Sequence, residues 1–224
     1  MQLPTRFAGL PEYAFPRLAR LLAGHPPGGP ELAMSIGEPR HAVPEFVGPI
    51  LAEHTAALSR YPPNEGLPAL REAISAWLAR RYGVAEAYRD PERSILPLNG
   101  TREGLFNTAI ALCPEEKNGR TPAVLMPNPF YQCYAVAALT AGAEPVYLPA
   151  TAGTGHLPDF ESLPAELLDR TAVAYICAPS NPQGAVASRG YWRSLLALAE
   201  RHDFKVFADE CYSEIWRDAP PPGA

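Results

Sequence analysis

The 224-residue sequence predicts an α/β protein built on a doubly wound, mostly parallel sheet, preceded by a shorter segment of different character. Three observations carry this. From Ser94 onward, short apolar β-type runs alternate with helical stretches, the order that builds βαβ units. Two of those runs, Ala172–Cys177 and Lys205–Asp209, flank a helical segment from Arg189 to His202, which suits a right-handed crossover between parallel, neighbouring strands. Both runs empty into polar strings, Ser180-Asn181-Pro182-Gln183-Gly184 and Asp209-Glu210-Cys211-Tyr212. Those strings would meet beyond the carboxyl ends of the strands, where open α/β sheets bind ligands.

Taken in order, residues 11–23 read as a short helix, Gly24–Pro30 as a linker and Leu32–Ile36 as a brief extended segment. Pro44–Ser59 reads as a helix with proline in its tolerated first turn. Pro68 opens another, running to Arg81, with Leu70, Ile74, Trp77 and Leu78 forming one apolar face and Tyr82-Gly83 closing it. Ile95–Leu98 reads as a strand that turns through Asn99-Gly100-Thr101 into a helix over Arg102–Leu112. Strand Ala123–Met126, helix Tyr131–Ala141 and strand Pro145–Leu148 follow, then a long loop and the two strands already described. Five strands are expected in all.

Bulk properties narrow the class. A hydrophobic fraction of 47% and a charged fraction of 19% are those of a soluble globular protein. The net charge of −5 provides no basic footprint, which argues against nucleic acid or an anionic membrane as partner. No apolar run approaches the ~18–20 residues of a membrane span. Cys113, Cys133, Cys177 and Cys211 are scattered without metal-binding or redox spacing and read as small buried hydrophobes of a reduced compartment, the cytoplasm by default. The 27 prolines are about twice the usual ~5% and fall mostly between periodic segments, where they punctuate loops.

Asp209 is the strongest single candidate for chemistry. A carboxylate ending an apolar strand is costly to bury unless something cationic pairs with it, and a protonated pyridine nitrogen is such a partner. Asn99-Gly100-Thr101-Arg102 stands at a strand-to-helix turn: its glycine permits close backbone approach, its hydroxyl can cap the helix, and the helix N-terminus attracts phosphate. Pro129-Phe130-Tyr131-Gln132-Cys133-Tyr134 places aromatics at the next helix start, where one could stack on a flat ring. Each has a plainer reading as a capped turn, packing or a loop aspartate. Their joint occurrence with Asn181 and Tyr212 at one sheet edge favours a cofactor site.

The ordered run Ser35-Ile36-Gly37-Glu38-Pro39, Arg60-Tyr61-Pro62-Pro63 with Gly66–Arg71, Asn99–Glu103, Asn181–Gly184 and Asp209–Tyr212 resembles the class I/II aminotransferases. These are pyridoxal 5'-phosphate enzymes with the aspartate aminotransferase (fold-type I) architecture. The strings Tyr13–Leu18, Ile36–Pro39, Pro127–Gln132 and Asp209–Ile215 are similar to bacterial succinyldiaminopimelate transaminases of lysine and diaminopimelate biosynthesis. Aspartate-, alanine- and aromatic-specific relatives, or a non-catalytic aminotransferase-like binding domain, are the alternatives. The resemblance implies that Gly100, Thr101 and Arg102 hold the cofactor phosphate, Tyr131 stacks on the ring, Asn181 and Tyr212 reach its ring oxygen, and Asp209 pairs with its nitrogen. It places Gly37 and Asn181 near the substrate, and Tyr61 at the phosphate of a neighbouring subunit, hence a homodimer. It also implies glutamate/2-oxoglutarate as a substrate pair, residues 1–45 as an N-terminal arm and small-domain segment, and residues 46–224 as an incomplete large cofactor-binding domain.

The sequence departs from the family in two respects. It has two lysines, Lys117 in the Pro114–Pro122 loop and Lys205 at a strand start, and neither stands in the Ser-x-x-Lys context of the family's cofactor-anchoring lysine. The arginine that clamps the substrate carboxylate near the family's C-terminus is also missing. The chain is therefore expected to be the N-terminal part of a longer enzyme, inactive alone, whose reading frame continues to that lysine within roughly 20–40 residues.

Overall fold

A computed structural model of the chain describes Thr5, residues 12–30, 32, 34 and 37, and residues 41–224. The chain divides into two compact units, one spanning residues 9–64 and one holding residues 65–224.

The first unit contains helix α1 (Ala14–Leu22), helix α2 (Val47–Glu53) and a 3₁₀ turn, Thr55–Ser59. The single helix expected over Pro44–Ser59 is thus interrupted at His54, whose backbone (φ −101°, ψ 13°) leaves the helical region. Thr55 bonds its hydroxyl to the Ala52 carbonyl at 3.1 Å, one of the local side-chain bonds that compete with helix continuation. The extended segment expected over Leu32–Ile36 lies in large part outside the described residues.

In the second unit, helix α3 (Pro68–Tyr82) begins with proline at its first turn and ends on Gly83 in the left-handed conformation, φ 68°. Then come α4 (Thr101–Leu112), β1 (Ala123–Asn128), α5 (Gln132–Thr140), β2 (Glu144–Pro149), α6 (Ala165–Asp169), β3 (Thr171–Cys177), α7 (Arg189–His202) and β4 (Lys205–Asp209). The strands form a four-stranded sheet in the order β2-β1-β3-β4, all parallel. The two-residue period of the strands sorts their side chains onto two cores. Leu125, Leu148, Ala174 and Ile176 pack with Trp192, Leu195 and Leu198 of α7 on one face. Val124, Met126, Val173 and Tyr175 pack with Ala109 of α4 and Tyr134, Ala135 and Ala138 of α5 on the other. Both faces being covered explains why β3 is buried along its whole length and largely apolar after Thr171. Pro145 and Pro149 stand in β2, one of the two edge strands of this sheet, where a missing N–H is tolerated.

Ile95–Leu98 is a correction to the sequence reading: it forms no strand, so the sheet has four strands and not five. A strand is defined by its ladder, and this run contains Pro97, which lacks a donor, and finds no ladder partner among the described residues. The loop after β2 also holds structure the sequence did not announce, a 3₁₀ turn at Ala152–Thr154 and the short α6.

The ends of the elements are tied down by side chains. Ser188 caps α7 by accepting the Tyr191 N–H at 3.1 Å. Lys117 donates to the carbonyls of Thr171, His202 and Asp203 at 2.6, 2.7 and 2.6 Å, joining the start of β3 to the end of α7. At the other end of the sheet, the Tyr82 hydroxyl donates to Glu210 at 2.8 Å, and Arg81 bonds Glu214 and the Ser213 and Pro221 carbonyls. The end of α3 thereby holds the segment that follows β4.

Candidate functional site

The parallel register pairs Cys177 with Asp209, so the loops leaving β3 and β4 emerge side by side at the carboxyl edge of the sheet. Asn181, four residues beyond β3, donates from Nδ2 to the Tyr212 hydroxyl at 3.3 Å. Asp209 ends β4 and is 8% exposed. Its Oδ2 accepts the Tyr134 hydroxyl at 2.6 Å, and its Oδ1 accepts the Cys211 N–H at 3.3 Å. No Lys, Arg or His among the described residues forms an ion pair with it.

Helix α4 aims its N-terminus at the same place. Its first turn carries no side-chain cap, and Gly100, the residue before it, has φ 152°, a conformation L side chains rarely adopt. The expectation that the Thr101 hydroxyl caps this helix is corrected here: Thr101 lies inside the helix, and its Oγ1 meets Cys211 Sγ at 3.3 Å. The first-turn N–H groups of α4 therefore have no side-chain acceptor at the cap, the usual arrangement for receiving an anion. Arg102, one residue on, donates from Nε to the Tyr131 hydroxyl, and its guanidinium lies 5.7 Å from the centre of that ring. A cleft of about 400 Å³ opens between α4 and β4, lined by Thr101, Gly104, Leu105, Phe207, Asp209 and Cys211 among others.

Of the residues the sequence singled out, Gly100, Thr101, Arg102, Tyr131, Asn181, Asp209 and Tyr212 thus gather at this edge. Tyr61, whose side chain is fully exposed, and Gly37 belong to the 9–64 unit. Tyr134 and Cys211 carried no assigned role in the sequence reading, yet both touch Asp209. The signal was present for Tyr134, which sits three residues after Tyr131 and meets its ring edge to face with centroids 5.7 Å apart. Burial pushes the Cys177 thiol up to about 12, with the Asp209 charge as the next cause, so it stays protonated. Burial raises Cys211 and Tyr212 as well.

Neither lysine is near this edge. Lys117 binds at the opening residue of β3 and Lys205 opens β4, pairing with Asp203 at 3.7 Å; each stands a strand length, roughly 13–20 Å, from the Asp209 end.

A family model described as aminotransferase class I and II matches residues 30–223. The chain belongs to this family. Its relatives include LL-diaminopimelate aminotransferases of Dehalococcoides mccartyi, 34% identical over 99% of this chain and 56% of the relative, and of Moorella thermoacetica, 35% identical over 97% and 55%. Among solved structures, an aminotransferase of Neisseria meningitidis superposes with a TM-score of 0.89 at 35% identity, covering 99% of this chain and 56% of the other. A single mutant of Thermus thermophilus aspartate aminotransferase superposes at 0.80 and 25% identity, covering 100% and 56%. The chain spans about half the length of the curated relatives it matches. The fold is accordingly the fold-type I architecture, of which these residues form part, and the family's cofactor is pyridoxal phosphate. The donor set fits that cofactor: a buried carboxylate without a cation for a pyridine nitrogen, and an uncapped helix N-terminus with a hydroxyl and a guanidinium beside it for a phosphate. No helix among the described residues is long and apolar enough to cross a membrane.

Proposed function

We propose that the complete protein transfers amino groups between an amino acid and a 2-oxo acid, and that this chain supplies the side of its site that binds the cofactor ring and phosphate. The observation that carries this reading is Asp209, a carboxylate 8% exposed at a strand end, facing the same cleft as the uncapped start of α4. Bound there, pyridoxal phosphate supplies an electron sink for the pair left behind when a substrate amino acid loses its α-proton. Asp209 holds the proton on the ring nitrogen that makes the sink effective. Asn181 and Tyr212, already joined to each other, orient the ring through its oxygen. The first-turn N–H groups of α4, with Gly100, Thr101 and Arg102, bind the phosphate, and Tyr131 covers the ring. Tyr61 serves the phosphate of the second subunit of a homodimer, and Gly37 and Asn181 face the substrate.

Lys117 is committed to three backbone carbonyls and Lys205 faces the wrong end of the sheet, so the anchoring lysine comes from outside these 224 residues. The compartment is the cytoplasm. The division into an arm with a small-domain segment up to residue 45 and a large domain beyond it belongs to the complete enzyme; within this chain the border between compact units falls at 64/65.

For the substrate we propose the diaminopimelate skeleton, with glutamate and 2-oxoglutarate as the exchange pair. The strings Pro127–Gln132 and Asp209–Ile215 favour its N-succinylated form. The names of the LL-diaminopimelate aminotransferase relatives favour the free amino acid as a second reading. Comparing kcat/KM of the full-length enzyme for succinyldiaminopimelate, LL-diaminopimelate, aspartate, alanine and tyrosine decides it. A preference of about tenfold or more for succinyldiaminopimelate supports the first reading, and one for LL-diaminopimelate the second. A preference for aspartate, alanine or tyrosine retires both, and absence of transfer with every donor retires the enzyme reading.

A further inference from the structure

We propose that Tyr134 is a positioning residue of this site, holding the Asp209 carboxylate in one orientation, and that Tyr175 behind it ties that orientation to the helix that cradles the phosphate. The inference rests on the reading of Asp209 as the partner of the ring nitrogen.

The contact is direct and dry. Tyr134 is 0% exposed, and its hydroxyl stands 2.6 Å from Asp209 Oδ2, within the range of a charge-assisted O–H···O⁻ bond. The Cys211 N–H takes Oδ1, so each carboxylate oxygen has a donor and the plane of the group is fixed from two sides. The kind of donor matters. Lysine or arginine at this position would supply a full positive charge and compete with a cationic ring nitrogen. A phenol stabilises the anion without neutralising it, and no Lys, Arg or His among the described residues pairs with that carboxylate, so the countercharge is left to the cofactor. Burial, followed by the Asp209 charge, raises the Tyr134 phenol far above its ordinary range, so it remains a donor.

The support continues inward. The Tyr134 ring lies parallel to that of Tyr175 on β3, with centroids 4.3 Å apart and planes 10° from parallel. The Tyr175 hydroxyl donates to the Leu105 carbonyl at 2.6 Å, in the second turn of α4. Four elements thus form one train: α4 with the phosphate cradle, β3 with Tyr175, α5 with Tyr134 and β4 with Asp209. It sets the spacing between the group that would hold the phosphate and the group that would hold the ring nitrogen.

The test uses the full-length protein in four forms: wild type, Tyr134→Phe, Asp209→Asn and the double variant. Phenylalanine keeps the stack on Tyr175 and removes only the donor. Two probes are titrated into each, pyridoxal phosphate and its analogue with carbon in place of the ring nitrogen, and the protonation of an isotope-labelled ring nitrogen is followed by NMR. Tyr134→Phe should weaken pyridoxal phosphate about tenfold, the loss of one charge-assisted bond, while the carbon analogue changes less than about twofold. In the Asp209→Asn background the same substitution should add nothing, because its route has been cut. The nitrogen signal should move toward unprotonated pyridine in Tyr134→Phe. Because the two probes are compared in one preparation, their affinity ratio reads the effect even where part of the variant is unfolded. Equal losses for both probes, or a loss that persists in the Asp209→Asn background, would show a purely structural tyrosine and overturn the inference. A loss in Asp209→Asn with none in Tyr134→Phe overturns the inference alone. No loss in Asp209→Asn overturns the cofactor reading together with it.

Discussion

Replacing Lys117 with methionine keeps the apolar stem and removes an ammonium that serves three backbone carbonyls, those of Thr171, His202 and Asp203. The last two belong to the C-terminal end of α7, where a cation also meets the negative end of the helix dipole. Two of the bonds are part-buried and one is exposed. A bond from a charged donor contributes roughly 1.5–3 kcal/mol, and the exposed one is discounted for solvent. Burial lowers the lysine's pKa, the mark of a desolvation cost that offsets part of this gain. The low end for the two part-buried bonds, about 3 kcal/mol, is the expected destabilisation of Lys117→Met. In a domain of this size that corresponds to a Tm lower by about 6–12 °C. Urea denaturation at equilibrium, with thermal melts beside it, measures both. Because Lys117 stands at the end of the sheet away from Asp209, cofactor affinity of the folded variant should not change. A loss under about 0.5 kcal/mol would refute the staple, since that is the scale of an ordinary surface substitution. A folded variant that no longer retains cofactor would refute the exclusion of Lys117 from the site.

Alkaline titration offers a second check. Tyr134, Tyr175 and Tyr191 all have phenols raised by burial above the ordinary value of 10.0, so they should not ionise in the native protein while exposed tyrosines do. Above that pH the unfolded state binds fewer protons than the native one. Stability contributed by these groups is therefore intact below about pH 10 and falls by about 1.4 kcal/mol per pH unit for each tyrosine above it. Phenolate absorbance showing these three ionising before unfolding would contradict the packing described. Thiol alkylation should reach Cys211, which is exposed, well before Cys177, which is 6% exposed and raised to about 12. Bound pyridoxal phosphate should slow the reaction at Cys211, and peptide mapping that finds Cys177 modified first would contradict the site geometry.

What the sequence disclosed follows the strength of its local signals. Helix α7 and strand β4 fall where expected, because the apolar runs on either side of the helical segment bound it closely. The convergence of Asn181 with Tyr212 was legible for the same reason, since a βαβ unit sets which loops are neighbours. Ile95–Leu98 misled because four apolar residues look like a strand whether or not a ladder partner exists, and a partner is a non-local fact. His54 interrupted a helix whose apolar pattern ran on, through a threonine side chain that the pattern ignores. The Tyr134–Asp209 bond was hidden differently: both residues were in view, but only the reach of the Tyr134 side chain from α5 across Tyr175 of β3 brings them to 2.6 Å.

A crystal structure of the full-length protein with pyridoxal phosphate tests the central claim most directly. The ring nitrogen should lie within hydrogen-bond distance of Asp209, the ring oxygen at Asn181 and Tyr212, and the phosphate on the first-turn N–H groups of α4 beside Gly100 and Thr101. A cofactor seated elsewhere, or one whose ring nitrogen faces away from Asp209, would contradict it.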